Sequence, residues 1–325
     1  MRIGIVALSS VVPPVEFNAG VEHLRAAGGL DVVVHPQVRG QHWMHAGTDE
    51  VRAAALFDMA TDPDIDAVWC ARGGYGAAKL LPILDRLTAE RGAPTPKKLL
   101  IGYSDVTVMH EYLRSRWGWS TLHAAMPAAS NFSSLPAGDW TSTLDAVRRA
   151  ATIDFPWTRS PLRWLTAPPA QAIEAPLIGG NLSLWQTLAG TPYAPARRPH
   201  MLFLEDLSER FYRIDRMMTH IEQAGFLDTS VAIVLGDFTD CADEVQTCAA
   251  PDPTAPRQPL RPVYQFDDLL REVFLAIGHR RGIPVAVGLP VGHGPNFAPL
   301  PLGARYRLDE GGGLRLVEWD WRQSA

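Results

Sequence analysis

Short apolar runs alternate with stretches of helical periodicity through the first 130 residues. Residues 2–7, 30–34, 67–71, 98–102 and, more weakly, 121–124 read as strands. Between them, 15–27, 49–60, 77–87 and 105–116 read as helices. The second opens on Thr48 as N-cap, with Asp49 and Glu50 in its first turn. Continuous apolar strands separated by helices predict a parallel sheet covered on both faces. Ligands in such sheets sit beyond the carboxyl ends of the strands, so residues just after a strand are the first site candidates.

The pattern lapses between 130 and 171, where five Pro and three Trp accompany only a helix near 141–151. This stretch reads as a linker with packing of its own, because tryptophans do not stay in water. Periodicity resumes with a helix at 181–189, a strand at 201–204, a helix at 212–224 and a strand at 230–235. A Pro-rich loop (240–262) precedes a helix at 267–281 and a strand at 284–288. Strands 305–308 and 314–321 flank Glu310-Gly-Gly-Gly313 as a hairpin-like pair. The expected organisation is an N-terminal α/β domain over 1–130, a linker over 131–171 and a C-terminal domain over 172–325.

Composition narrows the function. A 325-residue chain with 46% apolar and 20% charged residues buries a sizeable core. Its net charge of −5 argues against nucleic acid and gives no support to an anionic membrane surface. Three cysteines make no disulfide framework, and Cys241 and Cys248 lack zinc-like spacing. The opening MRIGIVALSS has no A-x-A-like cleavage site and runs into Pro13-Pro14, so it reads as a first buried strand rather than a signal peptide. Gly and Pro make up about a sixth of the chain, against about 12% ordinarily. That excess predicts ordered loops, where sites are usually built.

Two strand ends carry chemistry. In Lys98-Leu-Leu-Ile-Gly-Tyr-Ser-Asp-Val, a buried strand runs through Gly102-Tyr103-Ser104-Asp105 directly into a helix. A serine at such a turn exposes its hydroxyl, with the following N–H as a ready oxyanion donor. It resembles a nucleophile elbow, although Val106 stands where G-x-S-x-G has its second glycine. An N-cap role explains Ser104 equally well from this segment alone. In Cys70-Ala-Arg-Gly-Gly-Tyr-Gly, glycines again follow a strand, with neither dinucleotide nor P-loop spacing. A serine nucleophile needs a base, and the base an orienting acid. His110 faces away from Ser104 on the same helix, and His23 and His220 lie within helices. His123 ends a strand and remains a rival. His293, between Gly292 and Gly294 after strand 284–288, is the preferred base, and Glu205, closing strand 201–204, the acid.

Arg72-Gly-Gly-Tyr-Gly, Gly102-Tyr-Ser-Asp, Gly179-Gly-Asn-Leu-Ser-Leu, Leu204-Glu-Asp with Tyr212-Arg-Ile-Asp-Arg216, Leu235-Gly-Asp-Phe and Gly288-Leu-Pro-Val-Gly-His together resemble the LD-carboxypeptidases. These serine peptidases include muramoyl-tetrapeptide carboxypeptidases and microcin self-immunity proteins. The resemblance runs from about residue 3 to 317, with the segments in the family's order. It implies an N-terminal parallel-sheet domain like that of class I glutamine amidotransferases and a smaller mixed α/β C-terminal domain. By position it implies Ser104 as nucleophile, Glu205 as acid and His293 as base, with oxyanion donors at Gly73, Gly74 and Asp105. Arg72, Tyr75, Asn181 and Arg213 become candidates for substrate contact, the two arginines as partners of a free carboxylate. The chain departs from the family at His123-Ala-Ala-Met-Pro127, where His-Gly-Pro is common.

The resemblance further implies trimming of murein tetrapeptide in the cytoplasm by a homodimer, without metal or cofactor. Cleavage of a peptidyl-nucleotide toxin is the alternative substrate reading, with Trp157, Trp164 or Trp185 available to stack on a base. A non-catalytic ligand-binding module is the alternative from another class.

Overall fold

The computed structural model describes residues 1–325 apart from 130–131, 151, 249–253, 255–256, 296, 320 and 322–325. The first half builds β1 (Arg2–Val6), α1 (Pro14–Ala26), β2 (Asp31–Val34), α2 (Asp49–Thr61), β3 (Ala67–Cys70), α3 (Leu81–Arg91), β4 (Leu99–Gly102), α4 (Thr107–Tyr112) and β5 (Ser120–His123). α2 starts as its sequence predicts, with the Thr48 side chain accepting the Val51 N–H. Strands β1 to β5 pair in parallel in the order β5-β4-β3-β1-β2, and β3 and β4 are buried along their whole length.

The second half adds α5 (Ala137–Val147), β6 (Arg163–Trp164), β7 (Ile173–Asn181), α6 (Leu182–Trp185), β8 (His200–Leu207), α7 (Phe211–Gln223) and β9 (Ser230–Thr239). It continues through β10 (Thr247–Cys248), β11 (Gln258–Pro259), α8 (Phe266–Leu269), α9 (Ala276–Arg281), β12 (Val285–Val287), β13 (Leu300–Leu302), β14 (Arg305–Leu308) and β15 (Leu314–Glu318). A seven-stranded sheet runs β15-β14-β7-β8-β9-β12-β6, with β7, β8, β9 and β12 mutually parallel.

Several expectations need correcting. The C-terminal half is not the smaller one: it builds most of a seven-stranded sheet and lends β13 to the six-stranded first sheet. Nor is that first sheet wholly parallel. β13 returns from the far end of the chain and pairs antiparallel with β5, Leu300 opposite His123 and Leu302 opposite Thr121. β7 was not foreseen: Glu174, Pro176 and the Gly179-Gly180 pair interrupt its apolar pattern. The helix expected at 141–151 is α5, beginning four residues earlier, and residue 151 lies outside the described residues. The strand expected at 314–321 ends at Glu318, and residue 320 is likewise outside them.

Two apolar clusters fill the interior, and each draws on both sheets. One joins Val6 and Leu100 to Leu202 and Ile233; the other joins Ile3 and Ile101 to Phe203 and Tyr306. The intervening segment contributes Trp157, which is buried, stacks on Phe155 and donates its indole N–H to the Pro299 carbonyl at 2.9 Å.

Candidate active site

β4 delivers Gly102 and Tyr103 to a turn where Ser104 takes φ +62°, before a short 3-10 turn leads into α4. A non-glycine residue in the left-handed region stores strain that the surroundings must over-determine. Here the following residue holds the turn. Asp105 is buried, and its Oδ2 accepts the Ala77 N–H at 2.8 Å, tying the Ser104 turn to the glycine turn after β3.

That second turn lies against the serine. A Cβ on Gly73 would stand 3.0 Å from Ser104 Cβ and 3.1 Å from its Oγ, so only glycine lets the backbone come this near. Gly74, at φ +110°, packs against the Ser10 side chain. Among the described residues the N–H groups of Gly73 and Gly74 donate to no acceptor. Ser104, Gly73, Gly74, Arg72, Tyr103 and Met126 line a cavity of about 440 Å³. The Arg72 guanidinium is braced at its rim by donating to the Val11 carbonyl at 2.8 Å.

From the other sheet, β8 carries Glu205 to its buried end, 0% exposed. The loop after β12 brings His293 to it, Nδ1 to Oε2 at 2.7 Å, with the imidazole 11% exposed. Burial alone would lower the His293 pKa. The Glu205 hydrogen bond and charge, with Asp206 and Asp237 behind, outweigh it and raise the pKa above its ordinary value. The imidazole packs on the ring of Tyr103, the chain neighbour of Ser104, at 4.8 Å between centroids. Among the described residues Ser104 and His293 make no hydrogen bond to each other. Such bonds often tighten only when substrate binds.

Residues 3–124 match the LD-carboxypeptidase N-terminal domain, and 174–308 match the C-terminal domain. The murein tetrapeptide carboxypeptidase of Pseudomonas aeruginosa is 31% identical over 322 residues, covering 97% of this chain and 94% of that one. The chain belongs to the LD-carboxypeptidase family. Among solved structures of this fold, the muramoyltetrapeptide carboxypeptidase of Oxalobacter formigenes superposes with a TM-score of 0.72 at 28% identity, over 97% of each chain. The microcin C7 self-immunity protein MccF gives 0.76 at 22% identity, covering 98% of this chain and 95% of that one, a likeness of fold.

Three of the residues singled out for substrate contact do not line this cavity. Asn181 is buried and fully engaged: Nδ2 donates to Asp206 Oδ1 at 3.1 Å, and Oδ1 accepts the Leu184 N–H as N-cap of α6. Arg213 is exposed on α7 beside Glu209 and Tyr212 and does not line the cavity. Tyr75 stands outside the cavity wall, 49% exposed, with its ring on His45. Trp157 and Trp185 are buried, Trp164 donates to the Glu310 carbonyl, and none of the three lines the cavity. His123 is fully buried, with both ring nitrogens unpartnered among the described residues. Sequence reasoning missed Tyr103, Met126 and Leu207 as lining residues and Asp237 as a neighbour of His293. Tyr103 and Asp237 both lie inside motifs quoted for the family, beside residues that took the attention.

Proposed function

We propose that this LD-carboxypeptidase removes the C-terminal D-amino acid of murein tetrapeptide by acyl transfer through Ser104, cutting an L-to-D or meso-diaminopimelate to D-Ala amide. The observation that carries the reading is the buried Glu205–His293 pair, its imidazole packed on Tyr103, the chain neighbour of a left-handed serine that lines the cavity. His293 takes the Ser104 proton as the hydroxyl attacks the carbonyl, then gives it to the leaving amine. Glu205 fixes the imidazole tautomer and stabilises its cation. The N–H groups of Gly73, Gly74 and Asp105 receive the oxyanion, a contribution of about 3–4 kcal/mol per donor. Arg72, at the cavity rim, pairs with the free carboxylate that an exopeptidase must recognise. Residues 1–130 supply the nucleophile and residues 172–325 the acid and base, so neither half is competent alone.

The test is mass spectrometry of products from murein tetrapeptide beside a peptidyl-adenylate. Release of the terminal D-amino acid from the tetrapeptide is expected; cleavage of the adenylate alone would replace this substrate with the toxin-like one. Ser104→Ala and His293→Ala should each lower kcat by about 10⁴-fold or more, and the double variant no further.

A further inference from the structure

We propose that Asp237 is a positioning residue for His293, a second carboxylate that holds the His293 loop from beside Glu205 on the neighbouring strand. The inference rests on the reading of His293 as base and deepens it. β9 runs beside β8, and its Gly236 lies against Val291 so closely that any side chain there would strike the Val291 carbonyl. Asp237 N–H then donates to that same carbonyl at 3.0 Å, so β9 grips the loop through its backbone just before the histidine.

The side chain grips it just after. The Asp237 carboxylate lies over Gly294, where a Cβ would collide with it, and a Cβ on Gly292 would stand 3.1 Å from both Asp237 Cβ and Glu205 Cβ. The two acids therefore lie side by side against one glycine-bounded loop, and only glycine at 292 and 294 lets it come this near them. Gly292 adopts φ +144°, a backbone shape that this enclosure must hold. Each acid also keeps one buried oxygen, Glu205 Oε1 and Asp237 Oδ2, with no partner among the described residues.

The groups facing His293 come from both sheets. Glu205 and Asp206 lie on β8, Asp237 on β9, and the Tyr103 phenol and neutral His123 belong to the first sheet. Burial raises the Asp237 pKa, as does Glu205, while the Gly294 N–H and His293 pull it back. Its negative charge in turn favours the imidazolium.

Asp237→Asn preserves shape but removes charge, and Asp237→Ala removes both. In the full-length protein, NMR titration of the His293 imidazole should show its pKa lowered in both variants by about half a unit or more. The acid limb of kcat/KM on murein tetrapeptide should move down by the same interval. Asp237→Ala should also lose up to about a hundredfold in kcat at unchanged KM, most of it retained in Asp237→Asn. An unmoved His293 titration in Asp237→Asn overturns the proposal, as does a loss in Asp237→Ala that appears in KM. Should Asp237→Ala fail to fold, the asparagine variant decides alone. Failure of the underlying triad reading looks different: turnover would survive Ser104→Ala while the titration shift persisted.

Discussion

His123 and His293 share the ring of Tyr103, at 5.8 and 4.8 Å between centroids, and their surroundings separate their chemistry. His123 is enclosed with no carboxylate among the groups that shift it, and burial drives its pKa well below the ordinary value. His293 has Glu205, and its pKa rises. A base must be neutral to accept a proton, so kcat/KM should fall on the acid side at a pH above 6.5, histidine's ordinary value. A pH–rate profile whose acid limb lies at or below that value would contradict the role given to His293. For His123 the linkage runs the other way. The unfolded chain takes a proton as pH drops through 6.5 and the native one does not, so stability is lost below that point. His123→Phe breaks no hydrogen bond and keeps the stack on Phe297, whose ring lies 5.8 Å away at 8°. It should leave kcat/KM within about threefold, and the drop in unfolding free energy between pH 7.5 and 5 should shrink by about 1–2 kcal/mol. Denaturant titrations at the two pH values measure that difference.

Among the elements, β7 joins the two halves. Its Gly179 and Gly180 lie at φ +128° and +138°, and a Cβ on Gly180 would stand 2.7 Å from Thr107 Oγ1. The same hydroxyl accepts the Asn181 N–H at 3.0 Å, so α4 packs directly on the strand. Gly180→Ala combines backbone strain with this collision and should cost about 2–4 kcal/mol. Because α4 begins three residues after Ser104, kcat should fall as well; an unchanged denaturation midpoint would refute the account. The glycines that fasten this strand also concealed it from periodicity, since they break the alternation by which strands are recognised. Pro299 and Pro301 concealed β13 in the same way, and an edge strand tolerates proline because one side needs no donors. Strand β4 and the turn after it were legible because three buried apolar residues, Leu99, Leu100 and Ile101, run straight into Gly-Tyr-Ser-Asp. Asp237 escaped notice because its importance comes from Gly292 and Gly294, more than fifty residues away, and no local pattern encodes that approach.

For the whole molecule, the two halves that sequence separates are one packed body. Each apolar cluster crosses from sheet to sheet, and the linker expected at 131–171 contributes Phe155, Trp157 and Leu162 to one of them. A fragment of residues 1–171 keeps β1 to β5 but loses β13, leaving the β5 edge and one flank of the core bare. Expressed alone it should aggregate, as judged by soluble fraction and size-exclusion profile beside the full chain. A monomeric fragment with cooperative unfolding would show that the cores are separable. No helix among the described residues is long and apolar enough to cross a membrane, which accords with a chain whose apolar surface is spent on these two clusters. The pairing of β13 with β5 also sets a schedule for the chain as it is made. Thr121 and Leu302, bonded across that edge, are 181 positions apart. At about 5–20 residues per second the ribosome needs roughly 9–36 s to travel between them. Throughout that interval the nascent sheet offers an unsealed edge to every neighbouring polypeptide.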